Sequence, residues 1–270
     1  MDNRPIAVFD SGLGGLTAVK ELAQILPYED IIYFGDTGRV PYGTRSDETI
    51  VKYARQDMNF LLTHDVKQVI IACGTASSVA MTALKQEYSV PLLGVIDTAA
   101  KAACEATKNG KIGIIGTPAT IRSGAYAKAI SELSRGILTV SKACTLLVPL
   151  VEDGRVGKDE PVTRLVLSEY LGPIREFEAD TLILGCTHYP LLKEILEDML
   201  PGVTLIDPGA EAAKSAAKYL EEMQKKNGGR VKGRISFFVS ESTEGFAKSA
   251  EMFLRMPVQG GVSRVEIERY

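Results

Sequence analysis

The chain has no excess of basic charge, no long apolar run and only four cysteines among its 270 residues. Its formal net charge is −3, which gives none of the positive field used by nucleic-acid binders, so we expect no nucleic-acid partner. No apolar run approaches the length of a membrane span, and the residues before Ile6 lack the basic and apolar regions of a signal peptide. We therefore expect a cytoplasmic protein without a membrane partner, whose cysteines are free thiols.

Short apolar runs alternate along the chain with longer helical patterns rich in Ala, Leu, Lys and Glu. The runs of strand length lie at 6–9, 31–34, 69–72, 92–95, 111–115, 182–185, 203–206 and 235–239. This alternation predicts an α/β fold with mainly parallel sheets covered by helices. Helices are predicted to start at Thr117-Pro118 and at Asp207-Pro208, where a capping side chain precedes a first-turn proline.

Two segments of the chain have nearly the same pattern, Val69 to Thr75 and Leu182 to His188. In each, an apolar strand ends on a small residue and is followed by a cysteine, Cys73 or Cys186. The carboxyl ends of strands in open α/β sheets are where ligands bind. Two similar α/β units that face each other therefore bring two thiols to one cleft, as suits proton removal from one face of a carbon and proton return to the other.

Two loops that follow strands carry polar or glycine-rich sequence. Phe9 to Gly15 does not have the glycine spacing of a dinucleotide fingerprint or a P-loop, and its amides are suited to an anion such as a carboxylate. Asp10 in this loop is either a helix cap or a functional carboxylate. The loop from Tyr33 to Gly43 is either functional or an ordinary turn.

The cysteines and histidines differ in their surroundings along the chain. Cys104 and Cys144 lie in apolar or alanine-rich stretches and are predicted to be inert packing. Cys73 and Cys186 precede predicted helix starts, where the helix dipole lowers the pKa of a thiol. His188 stands two residues beyond Cys186 and is suited to hydrogen-bond the thiol or to act as an acid.

Five motifs, in order along essentially the whole chain, resemble those of the bacterial glutamate racemases, in the aspartate/glutamate racemase family. They are Asp10-Ser11-Gly12-Leu13-Gly14-Gly15, Tyr33-Phe34-Gly35-Asp36, Pro41-Tyr42-Gly43, Ala72-Cys73-Gly74-Thr75-Ala76-Ser77 and Gly185-Cys186-Thr187-His188-Tyr189-Pro190. The resemblance implies a cofactor-independent racemase that makes D-glutamate for peptidoglycan. It also implies two α/β domains with the active site between them, one formed by residues 1–96 and 209–270 and the other by 97–208, and family members are often homodimers.

The resemblance further implies roles for individual residues. Cys73 and Cys186 are the two catalytic bases, with Asp10 assisting the first and with Glu152 and His188 assisting the second. Taken alone, Glu152 looks like a surface acid. The implied contacts with glutamate come from Asp10, Ser11, Tyr42, Gly43, Gly74, Thr75, Thr187 and His188.

One position departs from the family pattern. The family commonly has Cys-Asn-Thr where this chain has Cys73-Gly74-Thr75, so glycine replaces the asparagine. Loss of one hydrogen bond to a charged substrate costs about 1.5–3 kcal/mol if nothing replaces it. The alternatives are a racemase of another amino acid such as aspartate, a metal hydrolase and a non-catalytic amino-acid-binding protein on the same scaffold. The tight Cys186-Thr187-His188 spacing does not favour a zinc site. Pyridoxal phosphate needs a lysine for its Schiff base, and no lysine stands beside either cysteine motif. We therefore expect neither a metal nor a cofactor.

Overall fold

The computed structural model describes residues 1–244, 246–258 and 261–270. Its strands are β1 (Ile6–Asp10), β2 (Ile31–Gly35), β3 (Gln68–Ile71), β4 (Leu92–Gly94), β5 (Lys111–Gly116), β6 (Leu138–Ala143), β7 (Thr181–Gly185), β8 (Thr204–Ile206), β9 (Ile235–Val239) and β10 (Val262–Arg264). Its α-helices are α1 (Leu16–Ile25), α2 (Asp47–Leu62), α3 (Gly74–Val79), α4 (Met81–Glu87), α5 (Val95–Ala106), α6 (Pro118–Ser123), α7 (Ala125–Leu133), α8 (Leu147–Glu152), α9 (Pro161–Tyr170), α10 (Gly172–Glu176), α11 (Lys193–Met199), α12 (Pro208–Glu222) and α13 (Phe246–Leu254). Short 3-10 helices span Tyr42–Thr44, Tyr189–Leu192 and Ile267–Arg269.

The strands form two parallel sheets. The first has the order β10-β9-β2-β1-β3-β4, and the second has the order β6-β5-β7-β8. Every strand pair in both sheets is parallel. The predicted α/β class with mainly parallel sheets is therefore confirmed.

The two sheets share one strand order around their central strands. β2-β1-β3-β4 in the first sheet corresponds to β6-β5-β7-β8 in the second. Cys73 follows β3 and Cys186 follows β7, so the two cysteines occupy equivalent places in the repeat. The repeated strand and cysteine pattern in the sequence is thus a repeat of topology.

The central strands are buried along their whole length. β1, β2, β3 and β7 have no exposed residue, as expected for parallel strands with helices on both faces. The predicted strands all appear, with ends that differ by one residue at most. β6 and β10 were not predicted, and both are edge strands with exposed residues in place of a continuous apolar run.

The predicted helix starts are confirmed by their capping contacts. The Thr117 side chain accepts a hydrogen bond from the Thr120 amide, and Pro118 is the first helical residue of α6. The Asp207 side chain accepts from the Gly209 and Ala210 amides at the start of α12. Within the described residues, no helix is long and apolar enough to cross a bilayer.

Candidate active site

A cavity of about 400 Å³ lies at the carboxyl ends of the central strands of both sheets. Because each sheet presents the same edge to the cavity, the loops after β1, β2, β3, β5, β6 and β7 all reach its wall. Every site residue that the resemblance implies lines the cavity except Asp10. These lining residues are Ser11, Tyr42, Gly43, Cys73, Gly74, Thr75, Glu152, Cys186, Thr187 and His188.

Cys73 is the N-cap residue of α3, and its side chain is almost wholly buried. Its Sγ accepts a hydrogen bond from the Ala76 amide at 3.4 Å and donates to Ser11 Oγ at 3.5 Å. Burial, reinforced by the nearby Asp10 carboxylate, nevertheless raises the pKa of Cys73 to about 12. The Ala76 amide at the helix start does lower this pKa, but desolvation outweighs that amide and the Ser11 hydroxyl together, so the expected net decrease is wrong.

Cys186 belongs to a chain of three acid-base side chains. Its Sγ lies 3.7 Å from His188 Nδ1, and His188 Nε2 lies 3.1 Å from Glu152 Oε1. The His188 side chain is 5% exposed and that of Glu152 is 43% exposed, so the chain leads from the buried thiol toward solvent. Cys186 does not cap a long helix, since only a short 3-10 turn begins at Tyr189.

The surroundings of His188 favour its protonated form. Burial lowers the pKa of His188, but hydrogen bonds with Cys186 and Glu152 and the charge of Asp10 outweigh burial and raise it to about 10. The ring also packs edge-on against Phe253, with 5.3 Å between ring centroids. Its contacts with Cys186 and Glu152 thus favour a buried imidazolium at His188.

Asp10 lies behind the cavity wall at the end of β1 and is fully buried. One carboxylate oxygen accepts the Gly12 amide at 3.0 Å, and the other accepts the Thr187 hydroxyl at 3.3 Å. Burial raises the pKa of Asp10, while the charge of His188 opposes this shift. The N-cap of α1 is Gly15, so Asp10 is not its N-cap residue and instead connects the loop after β1 to the second cysteine motif.

The glycine-rich loop after β1 packs against the second cysteine motif. A Cβ atom at Gly14 would lie 2.2 Å from Thr187 Oγ1 and 2.6 Å from His188 Nδ1. Both distances are far inside van der Waals contact. Glycine at this position therefore allows the loop to support the histidine from behind.

Sequence reasoning missed several polar residues that share the cavity. The Thr75 and Thr117 hydroxyls lie 2.9 Å apart, and this contact joins the segments that follow β3 and β5 in the two sheets. Thr117 also donates to Thr120 Oγ1 at 3.0 Å. Cys144 was predicted to be inert packing, yet it also lines the cavity while remaining buried. The signal that was available is position, because Thr117 and Cys144 each directly follow a strand of the second sheet.

The described residues contain no group of three or more His, Cys, Asp and Glu side chains arranged to hold a metal ion. Among the acid-base side chains of the cavity, His188 contacts both Cys186 and Glu152. The arrangement offers two separate cysteines, one histidine and backbone and hydroxyl donors in a largely buried space.

Comparison with known proteins gives a consistent set of relatives. Residues 16–216 match the family model described as Asp/Glu/Hydantoin racemase. A glutamate racemase of Syntrophus aciditrophicus is 47% identical over 264 residues, which cover 97% of each chain. Among solved structures, the glutamate racemase of Francisella tularensis in complex with D-glutamate has a TM-score of 0.92 at 40% identity, with 100% of both chains covered. That of Thermus thermophilus in complex with beta-chloro-D-alanine has a TM-score of 0.90 at 41% identity, also with 100% of both chains covered.

Proposed function

The chain belongs to the Asp/Glu/Hydantoin racemase family, and from this membership and the two-thiol cavity we propose that it interconverts L- and D-glutamate without a cofactor. The product D-glutamate serves peptidoglycan synthesis. The observation that carries the proposal is the placement of Cys73 and Cys186 at equivalent strand ends of two sheets that share one cavity. Relatives that are 40–47% identical over almost their whole length bear the name glutamate racemase.

In the proposed reaction, the thiolate of one cysteine takes the α-proton of glutamate. The electron pair of the broken C–H bond stays on the carbon and is delocalised onto the α-carboxylate. The thiol of the other cysteine then gives its proton to the opposite face of the carbon. The inverted amino acid leaves, and the two cysteines have exchanged their protonation states, so atoms and charge balance.

The surroundings of the two thiols suit these complementary tasks. Burial raises the pKa of Cys73 to about 12, which favours its protonated form at neutral pH and suits it to donate a proton. The His188 imidazolium beside Cys186 can hold a thiolate by a charge-assisted hydrogen bond. Glu152, which is partly exposed, provides a route from His188 to solvent through which the protonation states are reset after a turnover.

Substrate binding is assigned to the polar groups of the cavity wall. Amides and hydroxyls of Ser11, Gly43, Thr75 and Thr187 are suited to the two carboxylates of glutamate. Because the cavity is largely buried, these donors act in a medium of low dielectric and stabilise the charge that develops on the carboxylate.

We also propose the domain division that the resemblance implies, residues 1–96 with 209–270 and residues 97–208. The strands of the first sheet lie in 6–94 and 235–264, and those of the second lie in 111–206, which supports this division.

The same resemblance supports a cytoplasmic homodimer. Sedimentation of the purified protein measures its mass in solution and so tests for the dimer.

The proposed function is tested by incubating the pure protein with L-glutamate in heavy water without added cofactor. We expect loss of optical rotation together with deuterium at Cα, because the returning proton comes from a thiol that exchanges with solvent. Cys73→Ala and Cys186→Ala should each abolish racemisation. Cys104→Ala is the matched control, because Cys104 lies on α5 and outside the cavity wall.

The outcomes separate the remaining alternatives. No exchange with glutamate but exchange with another amino acid would mean that the cavity serves a different substrate. No exchange with any amino acid, combined with measurable binding of D-glutamate, would indicate a binding protein on a racemase scaffold. Racemisation that survives both alanine substitutions would contradict the two-thiol mechanism.

A further inference from the structure

Tyr42 belongs to the cavity wall, yet its side-chain hydroxyl is held by buried carboxylates. The residue is 1% exposed, and its ring packs 5.4 Å from the ring of Tyr53. Pro41, Tyr42 and Gly43 all form part of the cavity wall. The Tyr42 hydroxyl reaches the carboxylates of both Asp36 and Asp57. This buried contact therefore holds the wall segment Pro41 to Gly43 from behind.

The buried cluster around this hydroxyl has two carboxylates and one cation. Arg39 Nε lies 2.7 Å from an Asp36 oxygen, and Arg39 Nη2 lies 3.0 Å from an Asp57 oxygen. Both aspartates are fully buried, whereas the Arg39 side chain is 10% exposed. One guanidinium does not neutralise two buried carboxylates, and an uncompensated buried charge is strongly destabilising.

The cluster also has one hydrogen too few for its oxygen acceptors. The single hydroxyl hydrogen of Tyr42 faces two acceptors, an Asp36 oxygen and Asp57 Oδ2, the latter at 3.0 Å. Asp36 also accepts from Arg39 and, through its other oxygen, from the Ser240 hydroxyl at 2.7 Å. Without one more proton, two oxygen acceptors would face each other between Tyr42 and Asp57. A proton on Asp57 completes a chain from Asp57 to Tyr42 to Asp36.

We propose that Asp57 is a positioning residue that remains protonated and, by donating to the Tyr42 hydroxyl, fixes the Pro41 to Gly43 segment for substrate binding. The charged and titratable groups that act on Asp57 are Asp36, Arg39, Tyr42 and Asp10. Burial raises the pKa of Asp57, and the charge of Asp36 raises it further. The inference rests on the proposed function for its kinetic test only.

The segment held in this way also contacts the second sheet. A Cβ atom at Gly43 would lie 2.8 Å from Thr117 Cβ, so backbone and side chain are in close contact across the cavity. Movement of Tyr42 therefore changes the position of Gly43 relative to Thr117. We expect such movement to weaken glutamate binding more than it slows proton transfer, because neither cysteine belongs to this segment.

The test compares Asp57→Asn with Asp57→Leu. An asparagine amide still donates to Tyr42 and its oxygen still accepts from Arg39, so we expect KM for glutamate within about threefold of the unsubstituted protein. Leucine keeps the volume but removes both contacts, and we expect KM to rise by about tenfold or more with kcat changed by less than about threefold. Glu48→Leu is the control, since Glu48 is exposed on the same helix.

Tyr42→Phe provides a second variant if Asp57→Leu does not fold, because it keeps the ring and removes only the hydroxyl. It should also raise KM more than it lowers kcat. An increase in KM for Asp57→Asn as large as that for Asp57→Leu would overturn the proposal, since an ionised carboxylate would then be required. Unchanged KM in both Asp57→Leu and Tyr42→Phe would overturn it as well.

Infrared difference spectroscopy gives a readout that does not depend on activity. The spectrum of the unsubstituted protein minus that of Asp57→Asn should contain the carbonyl band of a protonated carboxyl at neutral pH. A carboxylate band in its place would refute the assignment. If the unsubstituted protein does not racemise glutamate, the proposed function fails while this spectrum still decides the state of Asp57.

Discussion

The charge on His188 depends on Glu152, the partly exposed end of the Cys186 to Glu152 chain. Its hydrogen bond is one of the contacts that raise the pKa of His188 to about 10. Glu152→Gln keeps the hydrogen-bonding shape but removes the negative charge, so we predict a lower pKa for His188. Nitrogen NMR of protein labelled in its histidines measures this directly, because the chain has only His64 and His188.

The same substitution has a defined effect on stability. The folded pKa of about 10 exceeds the ordinary value of 6.5, so protonated His188 stabilises the fold fully below pH 6.5. This contribution to stability is lost as the pH rises from 6.5 toward 10. Because Glu152→Gln lowers the folded pKa of His188, the loss should be complete at a lower pH in that variant. In the NMR titration, His64 serves as the internal control. An unchanged pKa of His188 in Glu152→Gln would contradict the predicted decrease.

Single residues were predictable where a strand pattern led up to them. Cys73 and Cys186 follow continuous apolar runs, which marked both as strand-end residues. Cys144 follows β6, a partly exposed strand without a continuous apolar run, and its place in the cavity wall was therefore not visible. The high pKa of Cys73 was also beyond reach, because its burial depends on packing between distant segments.

At the scale of elements, the start of α3 and the end of β7 approach each other at Gly74 and Gly185. A Cβ atom at position 74 would lie 2.7 Å from the carbonyl oxygen of Gly185, whereas carbon and oxygen normally stay more than about 3 Å apart. Gly74→Ala must therefore separate two elements that carry Cys73 and Cys186. A misplacement of about 1 Å costs about 100-fold in rate, so we predict a loss in kcat of about tenfold or more for this smaller shift.

Steady-state racemisation assays check this prediction against Gly136→Ala. A Cβ atom at Gly136 meets nothing within 4 Å, so the control carries the same chemical change without the contact. Equal kcat values for the two variants would show that α3 and β7 separate without cost. The departure from Cys-Asn-Thr thus acts on packing between elements.

The central elements could be predicted from sequence, and the edge elements could not. β1, β3 and β7 are buried on both faces and are nearly continuous apolar runs. β10 has three residues and lies at a sheet edge, where burial does not dictate residue type. How α3 lies against β7 also could not be predicted, since it depends on the packing of two sheets.

At the scale of the whole molecule, the cavity lies at one end of the sheets and a buried ion pair lies at the other. Lys67 directly precedes β3, and its ammonium group contacts the Glu29 carboxylate with side-chain exposures of 0% and 2%. The ammonium also donates to the carbonyl oxygens of Asp2 at 2.7 Å and Lys225 at 3.0 Å. This one side chain connects the amino-terminal segment, the β2 side of the sheet and the end of the α12 region.

Removal of this ammonium group should affect stability without affecting chemistry. Lys67→Met leaves Glu29 buried with the Asn227 amide at 2.7 Å as a remaining donor, and breaking a buried pair in this way costs about 3–5 kcal/mol. We therefore predict a decrease of that size in the free energy of unfolding, measured by urea denaturation, with kcat unchanged below the unfolding range.

The exposed pair of Lys101 and Glu105, with side-chain exposures of 63% and 69%, supplies the control, since Lys101→Met should cost less than about 1 kcal/mol. Similar losses in both variants would mean that the buried pair contributes no more than a surface one, whereas a fall in kcat for Lys67→Met would connect the two ends of the sheet.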